Sequence, residues 1–165
     1  MLRLGSVKPS VYVETTVVSY LTAWASKDVI RAAHQQLTRE WWDSERDRFD
    51  LFTSQFVVVE CRRGDSVAAA ERLRVLDSMQ ALDITESAEK LALALVREQS
   101  LPSRAAADAL HIAIAAVNGL DYLLTWNCRH MANGIMRPAI ERVCRDQGYE
   151  PPIICTPAEL HEVEP

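Results

Sequence analysis

Apolar residues along this chain fall into short uninterrupted runs, alternating with longer stretches where they recur at helical spacing. The first run, over 11–13, follows Pro9 and ends at Glu14. Val29, Ala33, Leu37 and Trp41 then recur at near-helical intervals, which predicts a helix over 28–46, and 51–53 is a second short strand. SQFVVVECRRGD reads two ways: its valines favour strand, while Ser54 could cap a helix carrying Val57 and Glu60 on one face, with Gly64 ending it. Asp65 can cap the helix containing AAAERLRVL, 82–84 is a third strand, and Thr85 starts a helix to about 99.

The strongest helix is RAAADALHIAIAAV, with Ser103 as its cap and Asn118-Gly119 as its stop. A buried strand follows over 122–125, then a helix over 137–147 with Gly148 at its end, then a last strand over 153–155. TPAE has the form of a capping box, with Thr156 as cap, Pro157 at the first helical position and Glu159 three residues after the cap. Short strands alternating with helices predict an α/β fold with a largely parallel sheet, whose sites form beyond the carboxyl ends of the strands. No repeat, low-complexity tract or Gly/Ser linker divides the 165 residues, so residues 1–165 read as one domain with its own core.

Composition narrows the class. The chain is 48% hydrophobic and 25% charged, an ordinary globular balance. It has no apolar stretch near the ~20 residues that span a bilayer, and MLRLGSVKPS lacks the apolar core of a secretion signal, so the expected location is cytoplasmic with no membrane partner. Cys61, Cys128, Cys144 and Cys155 form no CxxC pair and read as buried filler; a zinc cluster from Cys128, His130 and Cys144 fits no familiar spacing. A net charge of −5 excludes a broad nucleic-acid-coating protein, but not an enzyme that holds nucleic acid through a metal and a few arginines.

Most acids lie in polar stretches where solvent explains them. Asp108 does not: its helix is apolar or small on nearly every face, and an ionised carboxylate there needs a cation or several donors. Glu60 and Glu14 each end an apolar run, where an exposed edge acid, paired for Glu60 with Arg62 or Arg63, is the plainer alternative. Asn127 leaves a buried strand in LLTWNC, where it can shape a turn or offer a carbonyl oxygen to a hard cation. These four positions offer oxygen ligands from four elements, a set suited to Mg²⁺ or Mn²⁺.

In order and spacing, VYVETTVVSYL, TSQFVVVEC, AADALHIAIAA and DYLLTWN resemble the PIN-domain ribonucleases, in particular the VapC-like toxins of toxin–antitoxin pairs, over roughly 9–160. The resemblance implies a PIN-like three-layer α/β/α fold, with a short, largely parallel central sheet flanked by helices. It also implies metal-dependent hydrolysis of RNA phosphodiester bonds, a homodimer and a small antitoxin partner. Glu14, Glu60 and Asp108 would hold Mg²⁺ or Mn²⁺, Asn127 would hold or position a second ion, and Thr15 would orient water or phosphate. The family's usual first acid is Asp and its fourth position is often Asp, so Glu14 and Asn127 depart from the pattern. A catalytically degenerate module that binds RNA or protein is the alternative these departures support.

Arg62, Arg63, Arg104 and Arg129 flank the proposed site in sequence and are candidates for RNA phosphates, with solvated charge as the default. His111 lies one turn from Asp108 and could hydrogen-bond it, although a satisfied core histidine is favoured. His130 reads as a loop or helix-start residue. Trp24, Trp41, Trp42 and Trp126 are too dispersed to define a base-stacking platform and read as core or interface.

Overall fold

The structure, a computed structural model, describes residues 7–98 and 101–162. Five parallel strands, β1 (Ser10–Val13), β2 (Asp50–Ser54), β3 (Gln80–Leu82), β4 (Tyr122–Leu124) and β5 (Ile153–Cys155), form one sheet in the order β3-β2-β1-β4-β5. The α-helices are α1 (Thr15–Thr22), α2 (Val29–Ser44), α3 (Gln55–Cys61), α4 (Ser66–Leu76), α5 (Glu86–Arg97), α6 (Ala106–Val117) and α7 (Arg137–Asp146). Helices α1 to α4 pack among themselves, and α5 packs on α6 and on α7. Right-handed crossovers place β1-to-β3 connections on one face and later ones on the other, which gives the expected α/β/α layering. The order reverses between β1 and β4, so a crevice opens at their carboxyl ends. Among the described residues no helix is long and apolar enough to cross a membrane.

Local chemistry explains where the elements begin. Ser54 Oγ accepts the Val57 amide, so the ambiguous valine run becomes α3 with Val57 and Cys61 on its buried face. Asp65 and Thr85 cap α4 and α5 as expected. The predicted end of α5 near 99 lies outside the described residues, as does the stretch 1–6.

Four expectations change. The segment TTVVSYLT, with no element expected, is α1, because the Glu14 side chain accepts the Thr16 amide and caps it. The third strand runs over Gln80–Leu82 rather than 82–84, since pairing with Phe52–Ser54 fixes its register. Ser103 makes no capping hydrogen bond; Ser103–Ala105 is a 3₁₀ turn and α6 starts at Ala106. The Thr156–Glu159 box forms, with both the Thr156 amide and hydroxyl on Glu159 Oε2, yet it closes a turn rather than a helix.

The core lies under α6, where Ala109 and the whole run from His111 to Ala116 are buried, with Leu91 and Leu95 of α5 against it. Trp41 is fully buried and donates its indole N–H to the Leu160 carbonyl. Cys61, Cys144 and Cys155 are buried filler, and burial pushes their thiols up to about 11, 11 and 12. Cys128 is exposed, contrary to expectation, because its loop leaves the sheet. The zinc set does not gather among the described residues.

At the opposite end from the crevice, Asp121 ties the starts of β1 and β4 together. Its Oδ2 accepts the Ser10 amide at 2.7 Å and hydroxyl at 2.8 Å, which hold its carboxyl below the ordinary 3.8. A depressed carboxyl stabilises the fold above its ordinary pKa, and that stability is lost as pH falls through the lowered value. Asp121→Asn should therefore lower the urea midpoint at neutral pH, and the gap to the parent chain should narrow below about pH 4. A gap that is constant with pH contradicts this reading.

Candidate metal centre at the sheet switch point

Glu14 leaves β1 at the crevice, 4% exposed, with its amide on the Leu124 carbonyl as one more rung of the β1–β4 ladder. Its Oε2 accepts three donors: the Thr16 amide (3.0 Å), the Thr16 hydroxyl (2.5 Å) and the Thr125 hydroxyl (2.8 Å). The two hydroxyls accept in turn, Thr16 from the Trp126 amide at 2.9 Å and Thr125 from the Asn127 amide at 3.0 Å. The carboxylate is thus at once the cap of α1 and the brace between β1 and the segment after β4. Three donors on one oxygen fix the orientation of the carboxylate.

Glu60, near the end of α3, brings the second carboxylate. Its Oε2 accepts from the Thr15 hydroxyl and lies 2.9 Å from His111 Nε2. The same Nε2 is 3.8 Å from Glu14 Oε1, beyond hydrogen-bond reach. Burial pushes the Glu60 carboxyl up, but the hydrogen bonds from His111 and the Thr15 hydroxyl, with Arg63 nearby, outweigh it and leave it below its ordinary value. No arginine or lysine pairs with Glu14, Glu60 or Asp108 among the described residues.

His111, 1% exposed, is a core histidine and a partner of the site together. Its Nδ1 is 2.9 Å from the Tyr12 hydroxyl, which is 2.8 Å from Ser54 Oγ, and Phe56 packs on its ring. Burial, set against the Ser54 hydrogen bond and reinforced by the charges of Glu14 and Glu60, raises the Tyr12 phenol far above its ordinary range, so it keeps its proton. One direction satisfies every group: the Val57 amide donates to Ser54, Ser54 to Tyr12, Tyr12 to Nδ1, and Nε2–H to Glu60.

Among the described residues, the ligand atoms of Glu14, Glu60 and His111 lie within 4.8 Å of one another. Asp108 is not in that group, although it was expected to converge with the two glutamates. It lies in the first turn of α6, three residues before His111, and its Oδ2 is 2.8 Å from His130 Nδ1. Asn127 shapes the turn: its Oδ1 accepts the His130 amide at 3.1 Å, holding His130 where it meets Asp108. Arg62, Arg63, Arg104 and Arg129 are exposed, and their side chains make no ion pair among the described residues.

Two carboxylates converging on a buried corner repel each other unless a positive charge stands between them. A divalent cation fits this donor set, since each glutamate keeps Oε1 outside the hydrogen bonds that orient it and, among the described residues, no arginine or lysine is ion-paired to either. Tyr12→Phe removes the donor to His111 and the acceptor for Ser54 without changing shape. It should cost about 1–3 kcal/mol in urea unfolding; a change below about 0.5 kcal/mol contradicts the buried relay.

The sequence model of the PIN domain matches residues 11–129, a span from β1 into the loop after β4 that contains Glu14, Glu60, Asp108, His111 and Asn127. Among curated proteins none matches the sequence. Of solved structures, the chain is similar to VapC20 of Mycobacterium tuberculosis, described as a sarcin-ricin loop cleaving toxin, at 21% identity and a TM-score of 0.58. That match covers 76% of this chain and 95% of the other. The acids at the sheet's switch point are therefore set in a family frame: this chain belongs to the PIN domain family.

Proposed function

We propose that this chain is a divalent-metal-dependent ribonuclease, the toxin of a toxin–antitoxin pair, hydrolysing RNA phosphodiester bonds in the cytoplasm. The observation that carries the reading is the convergence of Glu14 and Glu60 on one corner, beside His111 and with no arginine or lysine ion-paired to either among the described residues. Membership of the PIN family and likeness to a toxin that cleaves the sarcin-ricin loop support it. The homodimer and the small antitoxin belong to the same proposal.

Glu14, Glu60 and Asp108 would hold Mg²⁺ or Mn²⁺, with His111 beside them. The bound cation supplies Lewis-acid charge to the phosphate and acidifies water for attack. The protein's own part is orientation. Thr15 fixes the Glu60 carboxylate, Thr16 and Thr125 fix that of Glu14, and His111 keeps Glu60 turned toward the corner. The exposed Arg62, Arg63, Arg104 and Arg129 would receive backbone phosphates of the RNA.

A second reading, a PIN module that binds RNA or protein without cleaving it, draws on one observation: Asp108 is engaged by His130 and Asn127 by its own turn. The two readings separate in one set of measurements. Saturating Mn²⁺ should raise the unfolding midpoint by about 3–8 °C. It should also support RNA cleavage that chelation abolishes and that Glu60→Gln and Asp108→Asn reduce by at least about a hundredfold while remaining folded. A protein that is stabilised by Mn²⁺ yet leaves a broad RNA pool intact sinks the nuclease reading and selects the module.

A further inference from the structure

Read along the chain, the four tryptophans are far apart, but the fold separates them into two kinds. Trp41 enters the core, and Trp42 is half-buried beneath Arg46. Tyr20, at the corner between α1 and α2, flanks the buried Trp126 and lines a cleft together with the exposed Trp24. The Trp126 amide bonds Thr16 Oγ1, which itself bonds Glu14, so the Trp126 backbone is tied to the Glu14 carboxylate cluster. The His34 ring lies flat on the Trp126 indole, centroids 4.0 Å apart at 12°, and Tyr20 flanks both at 6.2 and 6.4 Å. Thr38 fixes the indole by accepting its N–H at 2.7 Å.

From this stack a cleft of about 320 Å³ runs outward, lined by Tyr20, Trp24, Arg31 and Gln35. Trp24 is 96% exposed, a rare setting for an indole. Its backbone is held in place, because Gln35 Nε2 donates to the Trp24 carbonyl and Arg39 to the Ala23 carbonyl. Arg31 is exposed and its guanidinium has no carboxylate partner among the described residues, while Asp28 is engaged in capping the Arg31 amide. Thr16 and Tyr20 lie one turn apart on α1, ~6 Å along its axis, so the helix leads from the acidic corner to this cleft, where Trp24 joins the lining just beyond the helix end.

We propose that the α1–α2 corner is a nucleobase subsite, in which a base of single-stranded RNA adjacent to the scissile phosphate stacks on Trp24 and Tyr20 while Arg31 meets its phosphate. Aromatic faces beside an unpaired guanidinium are what a single-stranded nucleic acid uses, and stacking tolerates any base. The continuity with the metal corner favours RNA over a protein partner. This assignment rests on the ribonuclease reading above and adds to it a place where bases, rather than phosphates, are held.

The test uses the full chain with Mn²⁺, and compares parent, Trp24→Ala and Trp24→Phe. Trp24 buries almost nothing, so neither change threatens the fold. In single-turnover cleavage of a uridine-rich single strand, the concentration giving half-maximal rate should rise about tenfold in Trp24→Ala, with the maximal rate unchanged, and recover in Trp24→Phe. Binding of an abasic ribose-phosphate oligomer, read by fluorescence anisotropy, should be equal in all three proteins. Equal cleavage parameters in Trp24→Ala overturn the subsite, as does an equal loss toward the abasic oligomer. Sedimentation of the same samples exposes the protein alternative: Trp24→Ala that dissociates a dimer yet cleaves normally makes this face an interface instead. If the parent chain cleaves no RNA at all, the ribonuclease reading itself has failed and the subsite falls with it.

Discussion

The fold turns on the carboxylate of Glu14. A buried acid at the end of a strand is costly unless donors meet it, and here three do, all on one oxygen. Those donors come from the first turn of α1 and from the residue after β4, so the Glu14 carboxylate also starts a helix and closes the sheet's switch point. Structure and site share one interaction. The other oxygen is left facing the corner where Glu60 and His111 arrive.

Glu60 reaches that corner from the neighbouring β2–α3 unit, and its position depends on how firmly His111 is held. The relay from Ser54 through Tyr12 fixes the imidazole from behind and leaves Nε2 to the carboxylate. One buried chain of hydrogen bonds therefore ties the helix cap of α3, the core strand β1 and the core helix α6 to a single oxygen. Such a chain preserves two like charges in proximity by rigid placement, and that arrangement is what a divalent ion would relieve.

Much of this was legible in the sequence, for identifiable reasons. Glu14 closes a strand, and a parallel sheet gathers its sites at that rim; Glu60 was legible through the capped-helix reading of SQFVVVEC, which sets it on one face with Val57. Asp108 stood out against its alanine-rich helix, but the partner that meets it, His130, is brought in by a loop whose course no periodicity encodes. His111 resembled filler because a buried histidine on an apolar helix is usually only that; its spacing of three residues from Asp108 was the available signal. The helix over Thr15–Thr22 was hidden because TTVVSYLT is rich in β-branched residues and its cap is a glutamate, a residue outside the usual capping set. Trp24 and Trp126 looked unrelated because only the packing of α1 on α2 brings their surroundings together.

The account stands on a divalent ion being what the two glutamates converge to hold. Anomalous diffraction from crystals grown with Mn²⁺ reads that directly. The account predicts one strong peak within coordination distance of oxygens from both Glu14 and Glu60, beside His111. Crystals that show no peak there at saturating Mn²⁺, or a peak bound elsewhere while Glu60 stays on His111 alone, would contradict it.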